Sequence, residues 1–147
     1  MREKAAARLL SAQALQTRKA KRGNCLEVRG TMGKVCSLSE AVANYVKSGD
    51  RIAFGGFTLN RKPLAAVNEI IRQGQRDFII ETGAAGSDAD MLIGAGRVKA
   101  MINGFIGNSG FTTVSRRFRD AVEKQKILVE DYSQDAQMLM LHGAALG

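Results

Sequence analysis

The chain reads as an α/β protein built on an open, mostly parallel sheet with flanking helices. Two observations predict this. Short apolar runs alternate with stretches of helical periodicity from residue 38 to residue 146, and each of the first three apolar runs ends in a glycine-bearing loop before the next helix. Such alternation is the pattern of right-handed βαβ units, which build parallel sheets.

Ser37 or Ser39 is placed to cap a first helix carrying Leu38, Ala41, Val42, Tyr45 and Val46 at helical spacing, and Lys47-Ser48-Gly49-Asp50 stops it. Residues 51–54 form a short apolar strand running into Gly55-Gly56. Pro63 has the preset φ and missing N–H of a first helical position. From it a helix runs to Gln73 with Leu64, Val67, Ile70 and Ile71 inward, closed by Gly74. Residues 78–80 are a buried strand, followed by the loop Gly83-Ala84-Ala85-Gly86 and a short helix over 89–93 that ends at Gly94-Ala95-Gly96. Residues 98–106 are a third strand, interrupted by Gly104. Ser115 caps a basic helix to Lys124, 127–129 is a fourth strand, and Asp135 opens an apolar helix with Met138, Leu139, Leu141 and Leu146.

Charge divides the chain. Residues 1–34 hold nine Lys/Arg and two acids, whereas residues 35–147 hold thirteen Lys/Arg and twelve acids. Of the net charge of +8, +7 falls in residues 1–34 and +1 in the rest, so the basicity belongs to an N-terminal arm, residues 1–31, read as a solvated tail or a leader outside the native domain. It lacks interleaved aromatics or a binding module, so specific nucleic-acid binding is not expected. No apolar run approaches the ~20 residues that cross a bilayer. Cys25 and Cys36 have neither C-x-x-C spacing nor a disulfide framework, and a reduced, cytoplasmic protein is expected.

In an open parallel sheet, ligands bind outside the carboxyl ends of the strands. The loops over 55–62, 83–90 and 107–115 all fall there. Gly55 and Gly56 lack the Cβ atoms that keep a ligand from the backbone. Arg61 offers a planar fork for carboxylate or phosphate, with a subunit-interface ion pair and a solvated loop residue as the competing readings. Lys62 reads as solvated. Asn108 and Ser109 can donate to a carboxylate or satisfy their own loop. Asp88 and Asp90 read as helix N-terminal caps. Arg116, Arg117 and Arg119 stand in a first turn, where the macrodipole disfavours cations, and so point to an acidic partner, either a second subunit or a ligand. His142 reads as a packing or capping residue, and a metal site has no support. Neither a G-x-x-x-x-G-K-[ST] loop nor a G-x-G-x-x-G fingerprint is present, and no G-x-S-x-G elbow exists.

The segments GGFTLNRKPLAAVNEIIRQG, GAAGSDADMLIGAGRVKAMIN, NSGFTTVSRRFR, VEDYSQD and HGAALG occur in this order. Together they resemble the alpha subunits of the family I CoA-transferases, in their glutaconate branch, from Met32 to the last residue. The wider family's signature has Gly-Gly-Phe, three residues, a glycine, one residue, then proline. Here Arg61 stands at that glycine, a departure that resembles the glutaconate branch.

The resemblance implies transfer of CoA between an acyl-CoA such as acetyl-CoA and a carboxylic acid, a dicarboxylate such as glutaconate. It implies a beta-subunit partner carrying the nucleophilic glutamate, hence no catalytic residue in this chain, and CoA thioester as substrate with no cofactor. The wall of the cleft would be Gly55, Gly56, Phe57, Arg61, Gly83, Gly86, Asn108 and Ser109. Family alpha subunits continue well past residues 144–147, so the resemblance is to an N-terminal portion, 32–147, incomplete at the C-terminus. The rival readings are a CoA-thioester hydrolase or ring-cleaving subunit on the same scaffold, and a truncated, non-catalytic relic.

Overall fold

A computed structural model describes residues 35–147; the expected arm, 1–31, lies outside the described residues. The elements are α1 (Leu38–Tyr45), β1 (Arg51–Ala53), α2 (Leu64–Gln73), β2 (Phe78–Thr82), α3 (Ser87–Gly94), β3 (Val98–Asn103), α4 (Arg116–Glu123), β4 (Leu128–Asp131) and α5 (Gln134–Leu146). The four strands form one sheet in the order β1-β2-β3-β4, and every neighbouring pair is parallel. Each crossover therefore steps one strand in the same direction. Right-handed connections then lay α2, α3 and α4 along one face, and α1 packs on α2, α2 on α3, and α3 on α4.

The core lies between that helical row and the central strands. Phe78 and Ile80 of β2 and Met101 of β3 are buried against Val67 and Ile70 of α2, Ala89, Leu92 and Ile93 of α3, and Ala121 of α4. Burying each large side chain among these contributes about 1.5–3 kcal/mol. Between β2 and β3 the register shifts: Phe78 pairs with Val98 but Ile79 pairs with Ala100. Lys99 is thus squeezed out of the ladder as a bulge, and it is exposed.

The helix ends show why these segments stop where they do. Ser37, rather than Ser39, caps α1, in a capping box with Glu40. Ser39 instead meets α2, accepting from Arg72 at 3.2 Å. Gly74 ends α2 in the left-handed conformation, as its sequence position predicts. Pro63 sits one place before the helix with φ −80 and ψ 57, and the Leu64 N–H turns back to the Lys62 carbonyl at 2.9 Å. This is an inverse γ-turn, so one of the helix's first amides is already satisfied.

The Ser115 hydroxyl makes no capping bond at α4. The cap comes from α3, where Asp90 Oδ1 accepts from the Arg117 and Phe118 amides at 3.0 and 3.1 Å and Oδ2 pairs with the Arg117 guanidinium at 3.2 Å. Asp90 therefore caps a helix other than its own. The acidic partner of Arg117 lies within the chain, while Arg116 and Arg119 stay exposed.

At α5 the start is set by Ser133, which accepts from the Ala136 amide. The apolar residues Met138, Leu139, Leu141 and Leu146 are exposed among the described residues, and so is His142, which was expected to pack or cap.

Candidate functional site

The loops that follow β1, β2 and β3 lie on the carboxyl edge of the sheet, and backbone contacts join each to the next. The first loop folds on itself: Phe57 and Asn60 exchange both backbone hydrogen bonds, at 3.0 and 2.7 Å. Gly56 has φ +89, and a Cβ on it would lie 2.5 Å from the Asn60 carbonyl oxygen and 2.6 Å from that of Arg61. This glycine is demanded by the turn as well as by access. Two non-glycine residues of the loop, Thr58 (φ 45) and Arg61 (φ 56), are also left-handed. Such conformations cost of order 1–3 kcal/mol each and persist only where the surroundings impose them.

The second loop imposes them. The Thr58 amide donates to the Ala84 carbonyl at 3.3 Å, and Gly86 lies so close beneath Thr58 that a Cβ there would sit 2.5 Å from the Thr58 carbonyl carbon and nearer still to its oxygen. The Lys62 side chain is fully buried, contrary to its reading as solvated. Its ammonium donates to the Ala84 carbonyl at 2.9 Å and lies 3.1 Å from Asp88 Oδ2, itself fully buried. Asp88 Oδ1 accepts from the Gly86 amide at 3.0 Å. Asp88 thus satisfies the Gly86 amide at the start of its own helix, as its position predicts, and binds a lysine besides. The contact at Oδ2 is an ion pair off the hydrogen-bond axis. Removing one member of a buried pair costs about 3–5 kcal/mol, because the other charge is left uncompensated.

The third loop is tied to the second by the Ala85 N–H to the Phe105 carbonyl at 2.8 Å and the Gly107 N–H to the Ala85 carbonyl at 3.2 Å. This bridge extends the β2–β3 pairing past Gly104. Asn108 and Thr112 then close a tight hairpin, with Ser109 and Phe111 exposed at its tip and the Asn108 Oδ1 buried without a hydrogen bond.

Gly56, Phe57, Asn60 and Arg61 line one open concavity of about 550 Å³. Gly55 is exposed beside it, with nothing within 4 Å of where a Cβ would be. Of the residues the sequence singles out, Gly56, Phe57 and Arg61 share this concavity. Gly86 lies beneath the same loop, supporting Thr58, while Gly83 stands next to Gln137 Oε1 of α5. Asn108 and Ser109 occupy a separate hairpin.

Sequence reasoning missed Asn60 at the concavity and the Lys62–Asp88 pair beneath it. It also missed buried, unpaired polar atoms: Thr82 Oγ1 and Asn103 Oδ1 at strand ends, and the Gln137 amide of α5. Thr82 and Asn103 are register partners, and that pairing is visible only once the sheet is assembled.

The described glutamates are mostly engaged. Glu81 is buried against Arg51 at 2.7 Å. Glu40 belongs to the α1 capping box, and Glu130 accepts from the Tyr132 hydroxyl and holds that phenol above its usual range. Glu69 belongs to a cluster in which the Arg72 guanidinium, helped by Gln73, pulls its carboxyl down to about 2. Glu123 ends α4, where the chain has returned to the amino edge of the sheet. Among the described residues no group of three potential ligating side chains could hold a metal, and no helix is long and apolar enough to cross a membrane.

A parallel sheet with three fused glycine loops on its carboxyl edge defines an open α/β protein with a ligand-binding edge. The Coenzyme A transferase family model matches residues 35–147, and the chain belongs to that family. It is similar to the A-type subunit of glutaconate CoA-transferase from Acidaminococcus fermentans, with 60% identity over 116 residues, 79% of this chain and 36% of the relative. The crystal structure of glutaconate coenzyme A-transferase from that organism superposes with a TM-score of 0.75, covering 78% of this chain and 36% of that one. The A-type subunit of 3-oxoadipate CoA-transferase from Pseudomonas knackmussii is 41% identical over 93 residues, 63% of this chain and 32% of the relative. The chain thus spans about a third of the length of these relatives.

Proposed function

We propose that this chain is the N-terminal portion of a CoA-transferase alpha subunit, forming one wall of a cleft in which CoA passes between an acyl-CoA and a carboxylic acid. The observation that carries the reading is the 60% identity to a glutaconate CoA-transferase, which extends through the loops that build the carboxyl edge. The acceptor class we propose is a dicarboxylic acid, because glutaconate and 3-oxoadipate, named in two relatives, each keep a second anionic end.

In the reaction, a glutamate carboxylate supplied by the beta partner attacks the thioester carbonyl and CoA leaves as its thiolate, giving an acyl–glutamyl anhydride. The thiolate then attacks the glutamyl carbonyl and releases the first acid, and the second acid takes the CoA by the reverse steps. This is covalent catalysis by a carboxylate nucleophile. The role of this chain is positional. Gly55, Gly56 and Phe57 allow close approach of the thioester, Arg61 faces the anionic end of the acid, and Gly86 supports the loop from beneath. The engagement of Glu40, Glu69, Glu81 and Glu130 with other groups supports placing the nucleophile outside these residues.

The test is CoA exchange between acetyl-CoA and glutaconate, by the purified chain alone and by a complete alpha–beta assembly containing it. The assembly is expected to turn over and the chain alone is not. Turnover by the chain alone would overturn this division of labour, and release of free CoA to water without acid dependence would make the assembly a hydrolase.

A further inference from the structure

We propose that Arg61 selects a second carboxylate on the substrate acid, and that the buried Lys62–Asp88 pair is the device that holds it in place. The inference deepens the reading above and rests on it for the identity of the acid. Four observations carry it.

Arg61 is exposed on the concavity shared with Gly56, Phe57 and Asn60. Like the exposed Arg116 and Arg119, it has no hydrogen-bond or ion-pair partner among the described residues, but Arg61 alone of these three lines the concavity. Its backbone is left-handed at φ 56, a conformation that costs a residue with a Cβ and costs glycine nothing. The very next side chain is anchored under the neighbouring loop by Ala84 and Asp88.

A strained backbone with an unpaired cation is a poor arrangement for folding alone. It becomes intelligible if the side chain has work at the site. The fully buried Lys62 ammonium fixes the chain one residue past Arg61, and the Asn60 carbonyl, bonded to the Phe57 amide, fixes it one residue before. Arg61 is therefore held at both flanks on the lining of the concavity, with no hydrogen-bond or ion-pair partner among the described residues. The planar fork suits a carboxylate in a way a lysine ammonium does not. Asn60, on the same wall, adds an uncharged donor. An acid with a single carboxylate would spend that group on CoA transfer and leave Arg61 unpaired.

The experiment titrates the 147-residue chain with glutarate, acetate and sulfate at constant ionic strength, following the backbone amides of Gly56, Asn60 and Arg61 by NMR. Glutarate is expected to bind at least tenfold more tightly than acetate or sulfate, the factor that one charge-assisted hydrogen bond supplies at about its lower limit. Arg61→Gly should weaken glutarate about ten- to a hundredfold, the range of one such bond, and leave acetate unchanged. The same variant should melt no lower than the wild type, because glycine accepts φ 56, while Arg61→Ala should melt below Arg61→Gly. Arg61→Lys should recover part of the affinity but not the preference for glutarate. Asp88→Asn, which keeps an acceptor for the Gly86 amide, should weaken glutarate roughly two- to fivefold with Arg61 intact, a partial loss of that same bond.

No response to glutarate, equal affinity for acetate, or an unchanged Arg61→Gly titration would each overturn the selection role. A wild-type Kd in Asp88→Asn would overturn the positioning role. A glutarate preference lost in Arg61→Gly, in a protein that transfers no CoA in any assembly, would sustain this inference and sink the CoA reading instead.

Discussion

Replacing Gly86 with alanine tests whether the first two loops are locked as tightly as described. The new methyl would lie 2.5 Å from the Thr58 carbonyl carbon and 3.0 Å from its Cα. Carbon atoms in contact sit at about 3.5–4.0 Å, so the first loop must retreat by roughly 1 Å. The collision is with backbone, which cannot rotate aside as a side chain tip can. Overpacking of this kind costs about 1–3 kcal/mol. The retreat also breaks the Thr58–Ala84 hydrogen bond, already long at 3.3 Å, for a further ~0.5–1.5 kcal/mol. The sum is about 1.5–4.5 kcal/mol, or roughly 6–18 °C in Tm at about 4 °C per kcal/mol for a domain of this size. Thermal melts followed by circular dichroism measure it directly. Gly55→Ala is the control: nothing lies within 4 Å of its Cβ position and its φ is not left-handed, so it should melt with or slightly above the wild type. A Gly86→Ala protein melting within about 2 °C of wild type would refute the claim that the loops meet backbone to backbone.

Asp90→Ala should lower the urea midpoint by the equivalent of about 1–2 kcal/mol, because it strips the cap from α4; an unchanged midpoint would mean that α4 does not depend on it. Glu69→Gln should destabilise at neutral pH, because a carboxyl whose folded-state value is depressed stabilises above its unfolded value near 4.5 and loses that contribution as pH falls toward about 2. The melting curves of wild type and variant should therefore converge between pH 4.5 and about 2, and a constant gap across that range would show that Glu69 acts through packing rather than charge.

Much of the fold was legible because its signals are local. Alternating apolar runs, the Gly74 stop and the Gly94-Ala95-Gly96 end of α3 act within one turn of where they stand, and every predicted element is found with boundaries shifted by a few residues. What escaped depends on pairs distant in sequence. Nothing around Lys62 distinguishes an ammonium bound to Asp88 from one in water, since the partner lies in the first turn of α3, far along the chain and not at helical spacing. Asp90 looks like a cap for its own helix because aspartate early in a helix usually is one, and only the packing of α3 on α4 redirects it. The apolar residues of α5 have the composition of a buried face, but composition does not name the surface that would cover it. At the candidate site, the glycines were found by their type, while the left-handed backbone of Thr58 and Arg61 carries no signature in either residue.

The cap that Asp90 places on α4 also ties two stretches of chain in time. Its carboxylate and the amides of Arg117 and Phe118 are separated by all of β3 and the loop after it. The first turn of α4 can be completed only when α3 is already seated on the sheet. Local opening of α3 must then release those two amides as well, however well the rest of α4 holds. In native-state hydrogen exchange they would report the stability of the α3 crossover from within a different helix.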